Sequence, residues 1–279
     1  MNIDAGDPLP TPDTGPDPGA SATPDPPPFE VVNEQGALRA VLLCDHGGRA
    51  IPSAYGRLGL DESLLFRHIA WDIGAGDVTR RLADMIDAPA IVANYSRLFI
   101  DPNRHLDHPD SIIRISDSVP VPGNERVDAA EAERRTALSF RPYHANAATL
   151  IAGHEARKGV VATIGIHSFT PVMDGIERPW HIGILWNQDT RLAQPLIAEL
   201  RKTPGVVVGD NKPYSGINPP AYSFWVHGAE PGRPHVTIEI RQDLIDTHHG
   251  AAEWAGIVGP ALRTVVAGPG VFEDAEVQP

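Results

Sequence analysis

Three short apolar runs, far apart in the chain, each bring a chemically competent residue to or near their ends. Ala40-Val41-Leu42-Leu43-Cys44 runs into Asp45 and His46. Residues 160–166 run into His167 and Ser168. Val236-Thr237-Ile238-Glu239-Ile240 carries a single carboxylate. Short runs that are mainly apolar fit strands covered on both faces. Residues 90–94, 182–186 and 206–208 read as further strands, and 97–101 as another strand or a continuation. Helical spacing lies between them, at 61–69 with Asp61 as N-cap, at 76–86, at 131–154 with Pro142 as a point of interruption, at 190–202 and at 253–266. Strands alternating with helices predict an α/β layer fold on a mainly parallel or mixed sheet. Ligands of open α/β sheets sit outside the carboxyl ends of the strands. That rule directs His46, His167 and Glu239 towards one place.

Several function classes fall away on composition. Lys+Arg 23 against Asp+Glu 36 gives a net charge of −13, the wrong sign for sequence-independent phosphate binding or an anionic membrane surface. No apolar run approaches the roughly 18 residues a spanning helix needs. A single cysteine, Cys44, excludes an intramolecular disulfide and Cys-rich zinc modules. A reducing, cytoplasmic setting is expected. Residues 1–28 hold nine of the 28 prolines, five aspartates and no Lys or Arg. Such a stretch cannot bury enough apolar surface to offset its chain entropy, so it reads as a disordered acidic tail. Residues 29–279 are then one folded domain. The chain lacks a GxGxxG after a strand, a GxxxxGK[ST] and a GxSxG elbow, which removes the nucleotide fingerprints and the usual serine-hydrolase turn.

Two histidines at strand ends plus a carboxylate match the ligand set of a catalytic zinc, which takes three protein ligands and leaves a position for water. The candidates are His46, His167, Asp72 and Glu239. A carboxylate that is not a ligand would accept the water's proton. His68, four residues before Asp72, is the rival ligand. Asp45 beside His46 could orient that imidazole, or cap the following turn. Arg97, Asn103 and Arg104 form a set able to bind a carboxylate, since Arg offers a bidentate fork, and one Arg could steady a developing oxyanion. The competing reading pairs these arginines with Asp101 and Asp107 in surface ion pairs. Cys44 reads as a buried small apolar residue. The tryptophans, Trp180 included, read as packing residues, and the turn-rich 209–214 stretch as a loop that could edge a pocket.

These residues fall in strings that resemble the N-formylglutamate amidohydrolase family. The strings are Cys44-Asp45-His46-Gly47-Gly48-Arg49-Ala50-Ile51-Pro52, His68-Ile69-Ala70-Trp71-Asp72-Ile73-Gly74-Ala75, and Ser96-Arg97-Leu98 followed by Asp101-Pro102-Asn103-Arg104. They continue in His167-Ser168-Phe169-Thr170-Pro171, in the Gly209–Tyr214 stretch, and in Ile238-Glu239-Ile240-Arg241-Gln242-Asp243-Leu244. The resemblance implies a three-layer α/β domain similar to zinc carboxypeptidases, with a central mixed sheet of about eight strands. It implies a zinc-dependent amidohydrolase acting on a small anionic N-acyl amino acid. His46, Asp72 and His167 would hold zinc, with His68 still the rival to Asp72. Glu239 would be the general base, Arg97 would polarise the scissile carbonyl, and Asn103 and Arg104 would hold the substrate carboxylate. A carboxypeptidase acting on peptides and a non-catalytic zinc-binding protein are the alternatives on the same fold.

Overall fold

The computed structural model describes residues 24–217 and 221–273. In chain order the strands are β1 (Phe29–Val32), β2 (Ala40–Cys44), β3 (Ala90–Ala93), β4 (Ile115–Ser116), β5 (Val119–Pro120), β6 (Ala162–Phe169), β7 (Val172–Met173), β8 (Ile176–Glu177), β9 (Ile182–Leu185), β10 (Val208–Asp210) and β11 (His235–Arg241). The α-helices are α1 (Ala75–Ile86), α2 (Ala129–Arg135), α3 (Arg141–Lys158), α4 (Ala193–Leu200) and α5 (His248–Val266). Seven strands form one sheet in the order β1-β3-β2-β6-β11-β9-β10, one fewer than the eight expected, and β4-β5 and β7-β8 are separate small hairpins. Strands β3, β2, β6 and β11 run parallel, β1 is antiparallel to β3, and β9 is antiparallel to β11. The sheet is therefore mixed, as the pattern of alternating elements predicts.

Its strands are apolar because both faces are covered. Leu42 of β2, Ile164 and Ile166 of β6, Ile184 of β9 and Ile238 of β11 pack into one core with Leu82 of α1, Leu196 of α4 and Val258 of α5. Val41 and Leu43 of β2 project the other way, against Tyr143, Ala147 and Ile151 of α3. Each such Leu or Ile removed from water contributes about 2 kcal/mol. The two-residue period of a strand then fixes the chemistry. Ile164, Ile166, Ile238 and Ile240 face the α1–α5 layer, so His167 and Glu239 must face the opposite side. That settles the orientation of the β11 carboxylate.

Several boundaries differ from the sequence expectations. Residues 97–101 form a turn, not a strand, because Ser96 Oγ accepts from Leu98 N (3.1 Å) and donates to Ala70 O (2.8 Å). Asp61 stands at the N-cap of a short 3-10 helix, but its side chain makes no capping bond. The helix expected at 131–154 is α2, a π-helical turn (Thr136–Phe140) and α3, with Pro142 directly after the π-helical turn that interrupts the α-helical bonding. Helix α5 begins five residues before 253, where Thr247 Oγ1 accepts from Gly250 N (3.1 Å).

Residues 1–23 of the expected tail lie outside the described residues. The expected boundary at 28 falls within a fixed segment. Asp25 accepts from Ser53 N (2.9 Å), Tyr95 OH donates to Pro26 O (2.9 Å), and Asn94 Nδ2 donates to Pro27 O (3.0 Å). Among the described residues no helix is long and apolar enough to cross a membrane.

Candidate metal and amide-hydrolysis site

The carboxyl ends of β2 and β6 place His46 and His167 side by side, with ring centroids 5.1 Å apart. Asp72 reaches them from the turn that leads into α1. Its backbone N–H donates to His46 O (2.9 Å). Gly74, two residues on, has φ +80, and a Cβ there would lie 2.0 Å from Ile245 O, so only glycine lets the chain pass from Asp72 into the helix. One ligand atom from each of His46, Asp72 and His167 falls within 4.8 Å of the others, and all three side chains are buried. This group could hold a metal ion. His68 is not part of it and faces Asp117 instead, at 3.7 Å. Of the two rival ligands, only Asp72 joins the cluster.

The ring nitrogens divide by role. His46 Nδ1 lies 3.4 Å and His167 Nδ1 2.8 Å from Asp72 Oδ2. The Nε2 atoms turn outwards to two more carboxylates. His46 Nε2 is 2.7 Å from Asp101 Oδ1, and His167 Nε2 is 3.3 Å from Asp45 Oδ2. The second contact is an ion pair without hydrogen-bond alignment, since Asp45 Oδ2 has no hydrogen-bond partner; Asp45 Oδ1 accepts from Ser223 Oγ (2.6 Å). A carboxylate behind each imidazole fixes its tautomer and raises its basicity as a ligand. Asp45 therefore serves His167, not its neighbour His46. Asp101, weighed from sequence only as an ion-pair partner of arginine, serves His46, while Arg104 Nε stands 3.9 Å from it.

Glu239 sits directly beside His167 in the parallel register of β11 and β6. It is buried, and its Oε2 has no hydrogen-bond partner. Burial pushes its carboxyl up to about 7, against the pull of His167, with Asp72 adding to the rise. Burial would also raise Asp101, but the charge and hydrogen bond of His46 hold it down at about 2. Burial disfavours the His167 imidazolium, yet the Asp45 and Asp72 contacts raise that group well above its ordinary value. Burial and Arg97 both oppose the charged form of His46, but Asp101 and Asp72 outweigh them and raise it. Asp72 is held well below the carboxylate range despite burial, chiefly by Arg97 and then His46. Arg97 Nη2 lies 3.4 Å from Asp72 Oδ1 and also touches His46 Nδ1. Four carboxylates thus crowd round two imidazoles and one guanidinium. An excess of buried negative charge is costly unless a cation balances it, and the donor set of two imidazoles and a carboxylate suits a divalent metal.

The site opens into a cavity of about 490 Å³. Arg97, Asn103, Arg104 and Glu239 all line it, so every residue singled out from sequence for substrate contact is brought to one wall system. Asn103 is fixed by Ser223 N, which donates to its Oδ1 (3.1 Å) and leaves Nδ2 as the donor available to the cavity. The peptide before it is braced from behind. His144 Nε2 donates to Pro102 O (2.8 Å), and His227 Nε2 donates to His144 Nδ1 (3.0 Å). Burial, then His144, lowers His227 to about 4, so this pair is held neutral. The 209–214 loop contributes Tyr214 to the cavity, whereas Trp180 does not line it. Cys44 is fully buried, and burial pushes its thiol up to about 12. Ser168 Oγ donates to Ile73 O (2.9 Å), which occupies it structurally.

Comparison with known proteins agrees with this arrangement. The profile of the N-formylglutamate amidohydrolase family matches residues 38–246. The crystal structure of gene product Atu2144 from Agrobacterium tumefaciens superposes with a TM-score of 0.81 at 33% identity, covering 86% of this chain and 95% of that one. An N-formylglutamate amidohydrolase from Ralstonia eutropha JMP134 shares the fold with a TM-score of 0.61 at 22% identity, covering 85% and 97% of the two chains. No curated protein matches the sequence. The match spans the strands that carry the metal group and the cavity alike, and the chain belongs to the N-formylglutamate amidohydrolase family, hydrolases that act on amide bonds.

Proposed function

We propose that this protein is a zinc-dependent enzyme that hydrolyses the amide bond of an N-formyl or other N-acyl amino acid, in the cytoplasm. One observation carries the reading: a buried His-Asp-His group stands beside a carboxylate that is buried, unpartnered and raised to about 7. In this reading His46, Asp72 and His167 hold the ion, in a carboxypeptidase-like arrangement. Zinc at such a site lowers the pKa of a water and polarises a carbonyl oxygen.

Glu239 Oε2 accepts the proton of the attacking water and returns it to the departing nitrogen. A base with a pKa near the working pH does both well. Arg97 donates to the carbonyl oxygen as negative charge develops on it. Arg104 and the Nδ2 of Asn103 hold the substrate carboxylate, Arg104 being the guanidinium of the wall that no short ion pair occupies. The family supports an N-formylglutamate-like small substrate, and the name of the R. eutropha protein points the same way.

The test is metal content and turnover measured together. Wild-type protein is expected to hold about one zinc per chain, and His167→Ala to lose it. Glu239→Gln is expected to keep the metal and lose roughly 10²–10⁴-fold in kcat towards N-acyl amino acids. Full activity in Glu239→Gln, or stoichiometric zinc in His167→Ala, overturns the assignment.

A further inference from the structure

The Gly209–Tyr214 string has no part in the mechanism above, yet it lies against the reacting residues. Strand β9 pairs with β11 so that Gly183 stands opposite Glu239. Residues paired in this way on antiparallel strands point to one face. A Cβ at Gly183 would collide with Lys212 O, so glycine there lets the loop after β10 lie on the face that carries Glu239. Asn211 locks that loop. Its N–H donates to Ile184 O (3.0 Å), and its Oδ1 accepts from Trp186 N (2.9 Å) and Gly216 N (3.2 Å). Trp186 Nε1 adds a bond to Asp210 Oδ1 (2.6 Å). None of these bonds uses Tyr214, which lines the cavity together with Glu239 and Arg97.

The direction of the phenol's hydrogen follows from Arg178, the residue after β8. Arg178 Nη1 lies 3.0 Å from Tyr214 OH, and the guanidinium carbon stands 4.9 Å from the ring centroid. Thr170 Oγ1 (3.3 Å) and Met173 Sδ (3.1 Å) hold the same guanidinium in place. A guanidinium can only donate, so the phenol oxygen is the acceptor and its own hydrogen is left for another partner. A bond from a cation also makes the phenol a stronger donor. Burial first, and then the charge of Glu239, raise the phenol above its ordinary value against the pull of Arg178. It therefore stays protonated at neutral pH. Asp72 acts on it as well, and it acts in turn on Arg97, so the phenol shares the space of the reacting groups.

We infer that Tyr214 is a further catalytic residue, whose phenol donates a hydrogen bond to the acyl oxygen as that atom gains charge, with Arg178 as the positioning residue that aims it. Arg97 and Tyr214 are then two donors to one oxygen. The contact adds no proton transfer. As water adds to the carbonyl carbon, the π pair moves onto the acyl oxygen. The phenol keeps its hydrogen, and the water's proton travels on Glu239 alone. A donor that tightens only as charge develops lowers the barrier without tightening the binding of substrate. This inference rests on the amide-hydrolase reading above and adds a residue to it.

The experiment uses the zinc-loaded full chain and the N-acyl amino acid it turns over best, with N-formyl-L-glutamate first in the panel. Tyr214→Phe is expected to keep its zinc and to lose on the order of 10²-fold in kcat, with KM little changed. Arg178→Met is expected to lose about tenfold in kcat alone, and nothing further in the Tyr214→Phe background, because its effect runs through the phenol. A kcat that is kept in Tyr214→Phe, whether or not KM rises, overturns the inference and leaves the hydrolase reading standing. A further loss on adding Arg178→Met to Tyr214→Phe overturns the positioning role. If the wild type turns over no N-acyl amino acid, the hydrolase reading falls and binding decides the inference separately. Calorimetry then uses N-(methylphosphonyl)-L-glutamate, a phosphonamidate with a charged tetrahedral centre. Binding about tenfold weaker in Tyr214→Phe than in the wild type supports the contact, and equal binding overturns it.

Discussion

Asp101 ties together two parts of the site. Its Oδ1 lies 2.7 Å from His46 Nε2 and also accepts from the backbone N–H of Asn103 (2.8 Å), so one carboxylate orients an imidazole and anchors the turn that presents Asn103 and Arg104. Asp101→Asn is expected to weaken zinc binding by about 10–100-fold, read by competition with a chelator. Unchanged affinity would show that His46 needs no orienting partner. The group of His46, Asp72 and His167 was legible in the sequence because His46 and His167 stand at or near the ends of apolar runs and Asp72 belongs to a recognisable string. The orienting carboxylates were not. Asp45 is adjacent to His46 in the chain yet serves His167, because both lie in the turn that follows β2, where the side-chain direction does not follow from the sequence. Asp101 lies 55 residues from the imidazole it holds, in a turn whose form depends on Ser96.

At the scale of elements, the site depends on where strands stop and turns take over. Gly74 connects Asp72 to α1 with a positive φ and a backbone carbonyl pressed against it. Gly74→Ala is expected to lower unfolding free energy by at least about 2 kcal/mol, measured by urea denaturation, with zinc affinity falling as Asp72 is displaced. Retained stability and metal would mean that Ile245 yields easily. Most strands were visible as apolar runs because both faces of the sheet are covered. The run at 97–101 misled, since Leu98, Phe99 and Ile100 are buried in a turn packed between loops and not in the sheet. Strand β1 gave no signal of its own. It is a partly exposed edge strand whose place is set by pairing with β3.

Across the whole molecule, α1, α4 and α5 cover one face of the sheet, while α3 covers only part of the other. The rest of that face, over β6, β11 and β9, carries the π-helical turn Phe224–Ala229 and the cavity floor. The neutral pair of His144 and His227 lies at the junction of α3 with that floor. Its lowered folded-state pKa implies more protons bound in the unfolded chain, so stability rises with pH between about 4 and the ordinary histidine value. The slope from His227 approaches about 1.4 kcal/mol per pH unit. Urea midpoints between pH 4.5 and 6.5 are expected to fall towards acid in the wild type and to fall less in His227→Gln. An equal fall in both would remove the pair as the cause. The lone thiol has a use that follows from its burial in β2. Cys44 is two residues from His46 and has no other thiol in the chain to compete with it. A thiol reagent added to the native protein can react only when α1 lifts from β2, so its rate of uptake is a built-in clock for opening of that layer beside the His-Asp-His group. A single cysteine introduced on the cavity rim would, for the same reason, take a spectroscopic label without background.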